Sequence, residues 1–166
     1  MHELNKAKHM STKMAVLIVL VIIASLSVAG CSDNKKQNSP NTGNNAAVAL
    51  TVNSVTTYNK LSKYPFETTP TPGHNYVVVD LTLTNLNKND LYMGNALNFK
   101  LSTSDGTAYS YSSWTYLLNN AIGSGVFHTN PGEKVTGQIA FEIPQSTHAT
   151  QLTYGDGFNP SVTTNL

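Results

Sequence analysis

Residues Tyr76 to Asn85 read YVVVDLTLTN, and this decapeptide constrains the chain more than any other stretch. Val77, Val79, Leu81 and Leu83 fall on one side of an extended backbone, with Asp80, Thr82 and Thr84 on the other. A period of two in β-branched and aliphatic residues predicts a strand with one buried face and excludes an amphipathic helix, whose apolar residues recur every three or four positions. Val48, Leu50 and Val52 repeat the pattern earlier in the chain. Leu97, Phe99 and Leu101 repeat it later, and Val135, Gly137, Ile139, Phe141 and Ile143 do so again.

Turn chemistry separates these runs. Ser104-Asp105-Gly106-Thr107 predicts a hairpin, because glycine tolerates positive φ, with Tyr109 and Tyr111 opening the return strand. Asn130-Pro131-Gly132-Glu133 predicts a second turn, with proline presetting φ and glycine taking the left-handed position. Pro144 ends the strand before it, since it lacks an N–H to donate. Gly137, on the apolar face, predicts a bulge or a bulky side chain packed over it. A short strand over 152–154 precedes a Gly- and Pro-containing tail. After residue 47 only Trp114 to Ala121 could make one or two helical turns. Six or seven strands in about 119 residues predict an all-β fold, an immunoglobulin-like antiparallel β-sandwich over 48–166.

The N-terminal part is of another kind. Lys6, Lys8 and Lys13 precede an uncharged apolar run from Met14 to Ala24, followed by small residues and Cys31. An apolar stretch of about 7–15 residues suits a secretory signal, whereas a spanning helix needs about 20. Val28-Ala29-Gly30-Cys31 resembles the lipobox of prokaryotic lipoproteins. That resemblance implies a signal peptide over 1–30 and a diacylglyceryl group on Cys31. The alternative is an uncleaved anchor with an incidental thiol; both put the rest of the chain outside the cytoplasm. Two acyl chains would hold it stably on a bilayer, where one would be marginal. Residues 31–47 then form the lipidated cysteine and a tether. Ser32 to Ala47 has no aromatic or large aliphatic residue and cannot order itself by burial.

Charge excludes some partners. The chain has 10 basic residues, all lysine, against 9 acidic ones, a formal balance of +1. Removing residues 1–30 takes away three lysines and one glutamate and moves it to −1. No basic stripe exists for nucleic acid. One cysteine excludes an intrachain disulfide framework and a multi-cysteine zinc site.

Three segments in order, HNYVVVDLTLTN at 74–85, FKLSTSDGTAYSY at 99–111 and NPGEKVTGQIAFEIP at 130–144, resemble a known family. It is the immunoglobulin-like domain of unknown function found on prokaryotic lipoproteins, often labelled telomeric repeat-binding factor-like. Its fold is related to that of mycobacterial immunoprotective extracellular protein. The resemblance covers about 49–155 and implies no catalytic residue.

Searched for chemistry, the residues offer little. His74, His128 and His148 lie beside turns, and no two have metal-ligand spacing, so no metal site is expected. Asp80 and Glu142 are read as outward, solvated carboxylates, Asp80 also discouraging edge pairing. No nucleophile elbow or phosphate-cradling glycine motif is present, and no cofactor is expected. One segment stands out: Tyr109-Ser110-Tyr111-Ser112-Ser113-Trp114-Thr115-Tyr116. Tyr109, Tyr111, Trp114 and Tyr116 could form a ligand-contact surface, or serve the core with the lone tryptophan plugging one end of the sandwich. Tyr64-Pro65-Phe66 and Pro70-Thr71-Pro72-Gly73 read as one long candidate binding loop.

The expectation is a membrane-anchored lipoprotein of the cell envelope carrying a non-catalytic module for an envelope protein or polymer. The alternatives are a carbohydrate- or cell-wall-binding module using the Tyr/Trp patch, which a coplanar row of exposed aromatics would favour, and a small secreted enzyme or inhibitor.

Overall fold

The computed structural model describes residues 46–166 apart from 124, 156 and 158–160. The signal segment, Cys31 and nearly all of the tether lie outside the described residues. Among the described residues eleven strands follow one another: Val48–Tyr58 (β1), Leu61–Lys63 (β2), Phe66–Thr68 (β3), His74–Asn85 (β4), Leu91–Met93 (β5), Phe99–Thr103 (β6), Ala108–Ser110 (β7), Phe127–Thr129 (β8), Lys134–Pro144 (β9), Ala149–Tyr154 (β10) and Val162–Asn165 (β11). Seven make two antiparallel sheets, one of three strands in the order β1-β4-β9 and one of four in the order β11-β10-β6-β7. The other four form two short ladders, β2-β3 and β5-β8.

The sheets close on one core. Leu50, Val77, Val79, Leu81, Leu83, Ile139 and Phe141 come from the first, and Phe99, Leu101, Leu152, Tyr154 and Val162 from the second. This is the β-sandwich that the alternation predicts. β4 is the central strand of its sheet, in unbroken register with β9 from His74↔Pro144 to Thr84↔Lys134. Both turns form as expected, with Gly106 at φ +83° and Gly132 at φ +76°.

Five details differ from the sequence reading. Leu97 is not a strand residue: it sits 61% exposed in a one-turn 3-10 helix over Ala96–Asn98, capped by Asn95, and β6 begins only at Phe99. The tail carries β11, which pairs with β10 along the edge of the second sheet. The 64–73 stretch is not one loop. β2 and β3 make a hairpin around the cis Tyr64–Pro65 bond, and a separate turn at Thr71-Pro72-Gly73-His74 closes with His74 N donating to Thr71 O at 2.9 Å. Gly73 supplies the positive φ, +82°, that the third position of such a turn requires.

Asp80 is the fourth. It lies on a central strand, so it guards no edge. β1 carries a bulge between Val52 and Ser54, and the extra residue, Asn53, donates through Nδ2 to Asp80 Oδ1 at 2.7 Å and to Thr82 Oγ1 at 3.1 Å. The carboxylate therefore holds the bulge, with Gln138 Nε2 donating to its other oxygen at 3.3 Å. Glu142 is likewise half-buried rather than free: it accepts from Thr71 N at 2.6 Å and fastens the preceding turn to β9.

Candidate functional site

The aromatic segment begins where the chain changes sheets. Tyr109 pairs with Leu101 of β6, in the four-stranded sheet, whereas Tyr111 bridges to Phe141 of β9, in the three-stranded one. Both tyrosines are half-buried against the main core. From Ser112 the backbone runs along the free edge of β9. Ser112 N donates to Ala140 O at 2.7 Å, and Ala140 N donates to Thr115 Oγ1 at 3.0 Å, so both polar groups of one β9 residue are held. Thr115 Oγ1 in turn donates to Ser112 O at 2.7 Å.

That grip organises a 3-10 helix, Ser113–Leu117, with the Ser112 hydroxyl accepting from Trp114 N at 3.3 Å. This is the short helical turn expected between Trp114 and Ala121. Because Thr115 is buried against β9, its neighbours Trp114 and Tyr116 project outward, 37% and 51% exposed. Trp114 thus does not plug the end of the sandwich. The two rings lie 5.8 Å apart between centroids, tilted 39°.

At the end of the 3-10 helix, Leu117 and the capping residue Leu118 pack onto Leu61 of β2 and onto Tyr76, Val78 and Ala140, the outer face of the first sheet. The chain then rejoins the edge of β9: Gln138 N donates to Asn120 O at 2.6 Å, and Ile122 N donates to Gln138 O at 2.8 Å. This close return requires Gly137. A Cβ there would lie 2.7 Å from Ile122 Cγ1 and 3.1 Å from Asn120 O. The bulky side chain expected over Gly137 is therefore Ile122, and the ladder has no bulge at that position.

These elements make a lid, with the β2–β3 hairpin packed beside the 3-10 helix. A cleft of about 390 Å³ opens under its edge, with Tyr111 and Tyr116 as walls and Ala96, Ile122 and Gly123 behind them. The structure so brings Tyr111, Trp114 and Tyr116 together, two by the cleft and two by ring contact. Tyr109 is left out, opposite Leu101 on the other sheet. The hairpin adds two aromatics at its tip, Tyr64 at 98% exposure and Phe66 at 59%.

The charged groups serve structure. Glu133 accepts from both the backbone and side-chain nitrogens of Asn130, at 2.7 and 2.8 Å, and these bonds lower its pKa below the ordinary glutamate range, aided by nearby His128. Asp105 is lowered by the Thr103 hydroxyl and by Thr107 N in the hairpin. Glu67 pairs with Lys60 at 3.1 Å, and Asp90 with His128 at 3.4 Å, whose ring meets Tyr92 edge-on. His148 is exposed, and His74 Nδ1 lies 3.4 Å from Pro72 O. Among the described residues no three His, Cys, Asp or Glu side chains form a metal-binding group.

Comparison with known proteins follows this architecture. A conserved hypothetical protein of Bacillus anthracis is similar over 75% of this chain and 92% of its own, at 15% identity and a TM-score of 0.55. A candidate lipoprotein of Bacillus subtilis, YcdA, is similar over 78% of this chain but only 38% of its own, at 19% identity and the same TM-score. The secreted Mycobacterium tuberculosis protein MPT63 aligns over 68% of this chain and 77% of its own, at 17% identity and a TM-score of 0.47. At such identities the first two show a shared fold. No curated protein matches the chain. A family model matches residues 38–163, a span that contains all three segments on which the resemblance rests. The chain belongs to the family described as a domain of unknown function, DUF4352.

Proposed function

We propose that this protein is an exported lipoprotein of the cell envelope, anchored through acylated Cys31, whose sandwich is a non-catalytic module that binds an envelope partner through the lid. The anchor rests on Val28-Ala29-Gly30-Cys31 directly after an apolar run, and on a polar spacer before the first strand. A sixteen-residue coil spans roughly 20–24 Å on average, at about 5–6 Å per root residue, enough to clear lipid headgroups. The B. subtilis neighbour described as a candidate lipoprotein is consistent with that address.

The observation that carries the binding role is the alternation on the 3-10 helix: Thr115 and Leu117 are buried, whereas Trp114 and Tyr116 between and beside them keep 37% and 51% of their surface exposed. Large aromatics on a backbone pinned at both ends offer contact area at little entropic cost, the usual make-up of a protein-contact centre. The 39° tilt between the rings favours a protein partner over the coplanar platform that a sugar face stacks on. The carboxylates of the described residues support the non-catalytic reading, since Glu67, Asp80, Asp90, Asp105, Glu133 and Glu142 each hold a turn, a bulge or an ion pair.

Photo-crosslinking in the native envelope tests this. A photoreactive residue at Trp114 or Tyr116 should trap one reproducible partner, and one at exposed Lys134 should not. Equal yields from the three positions would sink the proposal. Cys31→Ala should abolish membrane association; unchanged association would remove the anchor.

A further inference from the structure

We infer that the outer half of β1 is a second binding site, one that accepts an extended, uncharged polypeptide strand from another protein. The inference rests on reading the domain as a binding module but uses a different surface from the lid. Two independent observations carry it.

The first is the sheet edge. β1 is an end strand, and among the described residues Ser54 to Tyr58 pairs only with β4, from Ser54↔Asp80 to Tyr58↔Tyr76. All five residues are exposed. Protein edges are commonly blunted with lysine, proline, inward-pointing charge, a bulge or a covering loop. Ser54-Val55-Thr56-Thr57-Tyr58 has no charge and no proline, and it is rich in residues that favour extended pairing. The bulge precedes this stretch and leaves it regular. Such an edge presents about 17 Å of backbone donors and acceptors, at about 3.4 Å per residue, in a spacing that only another extended chain matches.

The second is a cavity beside that edge. The bulge resets the alternation so that Val55 lies opposite Val79 and Thr57 opposite Val77, both on the core face. Val79 is 0% exposed, yet Val55 is 41% exposed. Val55 and Thr57 line a cavity of about 290 Å³ whose other walls include Val77, Ile143, Ala149 and Leu166. Asn75, Thr147 and His148 also line it, and none of its wall side chains is a carboxylate or an ammonium. A strand added to β1 would direct every second side chain toward this cavity, so the edge supplies backbone pairing and the cavity selects the residue. The lining selects an aliphatic side chain, and the uncharged edge sets no like or opposite charge against its neighbours.

The test uses the full chain in detergent micelles, with a phage-displayed library of random nonapeptides as the probe. Selection should enrich peptides with aliphatic, uncharged residues at alternate positions. Adding an enriched synthetic peptide should protect the backbone amides of 54–58 from hydrogen exchange. Val55→Lys should weaken binding at least tenfold with the melting temperature retained, because a half-exposed lysine keeps its ammonium in water. Ala149→Phe, which fills the cavity from β10, is the second variant should the first unfold. Trp114→Ala should leave peptide affinity unchanged. No enrichment, or binding that survives both variants, overturns the inference. So does a concentration-dependent dimer dissolved by Val55→Lys, which would assign the edge to a second copy. A crosslinked partner at Trp114 with no peptide at the edge would sink this inference and leave the lid reading standing. Peptide binding at the edge without that crosslink would do the reverse.

Discussion

The two faces of β4 are covered in different ways. Its inner face, Val77, Val79, Leu81 and Leu83, is buried along its whole length by a second sheet. Its outer face is divided. Tyr76 and Val78 are as dry as the inner residues, under Leu61, Leu117 and Leu118, whereas Asp80, Thr82 and Thr84 are half-exposed, with Asp80 and Thr82 joined by hydrogen bonds to Asn53, Gln138 and Thr136. The inner face is sealed by sheet-on-sheet packing. The outer one is sealed by a short lid that the free edge of β9 holds through Ala140 and Gln138. Stability should therefore concentrate inside, and adaptable surface outside.

The largest test of that contrast is Leu81→Ala, which should cost about 2–5 kcal/mol, measured by chemical denaturation. A loss below about 1 kcal/mol would mean that the inner face is not the main source of stability. Gly137→Ala acts where the returning chain meets the main core along β9: it should cost about 1–3 kcal/mol by forcing Ile122, a main-core residue, and the Asn120 carbonyl away, with the β9 edge amides exchanging faster. Thr115→Val removes the hydroxyl that Ala140 N donates to and leaves that buried donor unpaired. About 1–3 kcal/mol should be lost, with Trp114 fluorescence shifting as the lid loosens. Equal protection of the whole chain in hydrogen exchange after this substitution would show the lid to be fused with the main core. Trp114→Ala should cost on the order of 1 kcal/mol or less, below the loss from Thr115→Val, because the ring belongs to neither core although it is only 37% exposed. Asp105→Asn touches neither face and should show only in acid. The native carboxyl titrates below its unfolded value of about 3.9, so its contribution is present above that pH and lost as pH falls through the native value. The variant's stability should fall less steeply below about pH 4, read from melting temperatures across that range.

Much of this plan was legible because it is periodic or local. Alternation located β4 and β9 and the inward Phe99 and Leu101; glycine and proline chemistry located the turns at 104–107 and 130–133. The run Tyr76-Val77-Val78-Val79 even hints that the strand is covered on both sides, since an alternating strand does not bury consecutive residues. Leu97 misled because three apolar residues at even spacing look like a strand, while the Asn95 cap that turns the chain at that point is a single polar residue. The division of the aromatic segment was not legible. Tyr109 and Tyr111 have the same parity, yet they belong to different sheets, and only their partners, Leu101 and Phe141, reveal it. Asn85 is another case: within a strand end it reads as a turn former, but it is buried and donates to the carbonyls of Asn89, Thr129 and Asn130, locking two loops together.

What the sequence determined by itself is the alternation of β1, β4, β6, β9 and β10 with their inward residues, the turns at 104–107 and 130–133, and the N-terminal signal pattern. These depend on backbone preferences and on solvent exclusion repeated at fixed intervals, and both act between near neighbours. What only the tertiary structure decided is which edges are paired, which carboxylates hold a bulge or a turn, and which aromatics reach solvent. Apart from the turn carboxylates Asp105 and Glu133, whose partners are two or three residues away, these depend on contacts between residues twenty or more positions apart, such as Thr115 with Ala140 or Asn53 with Asp80, and no local pattern encodes the partner.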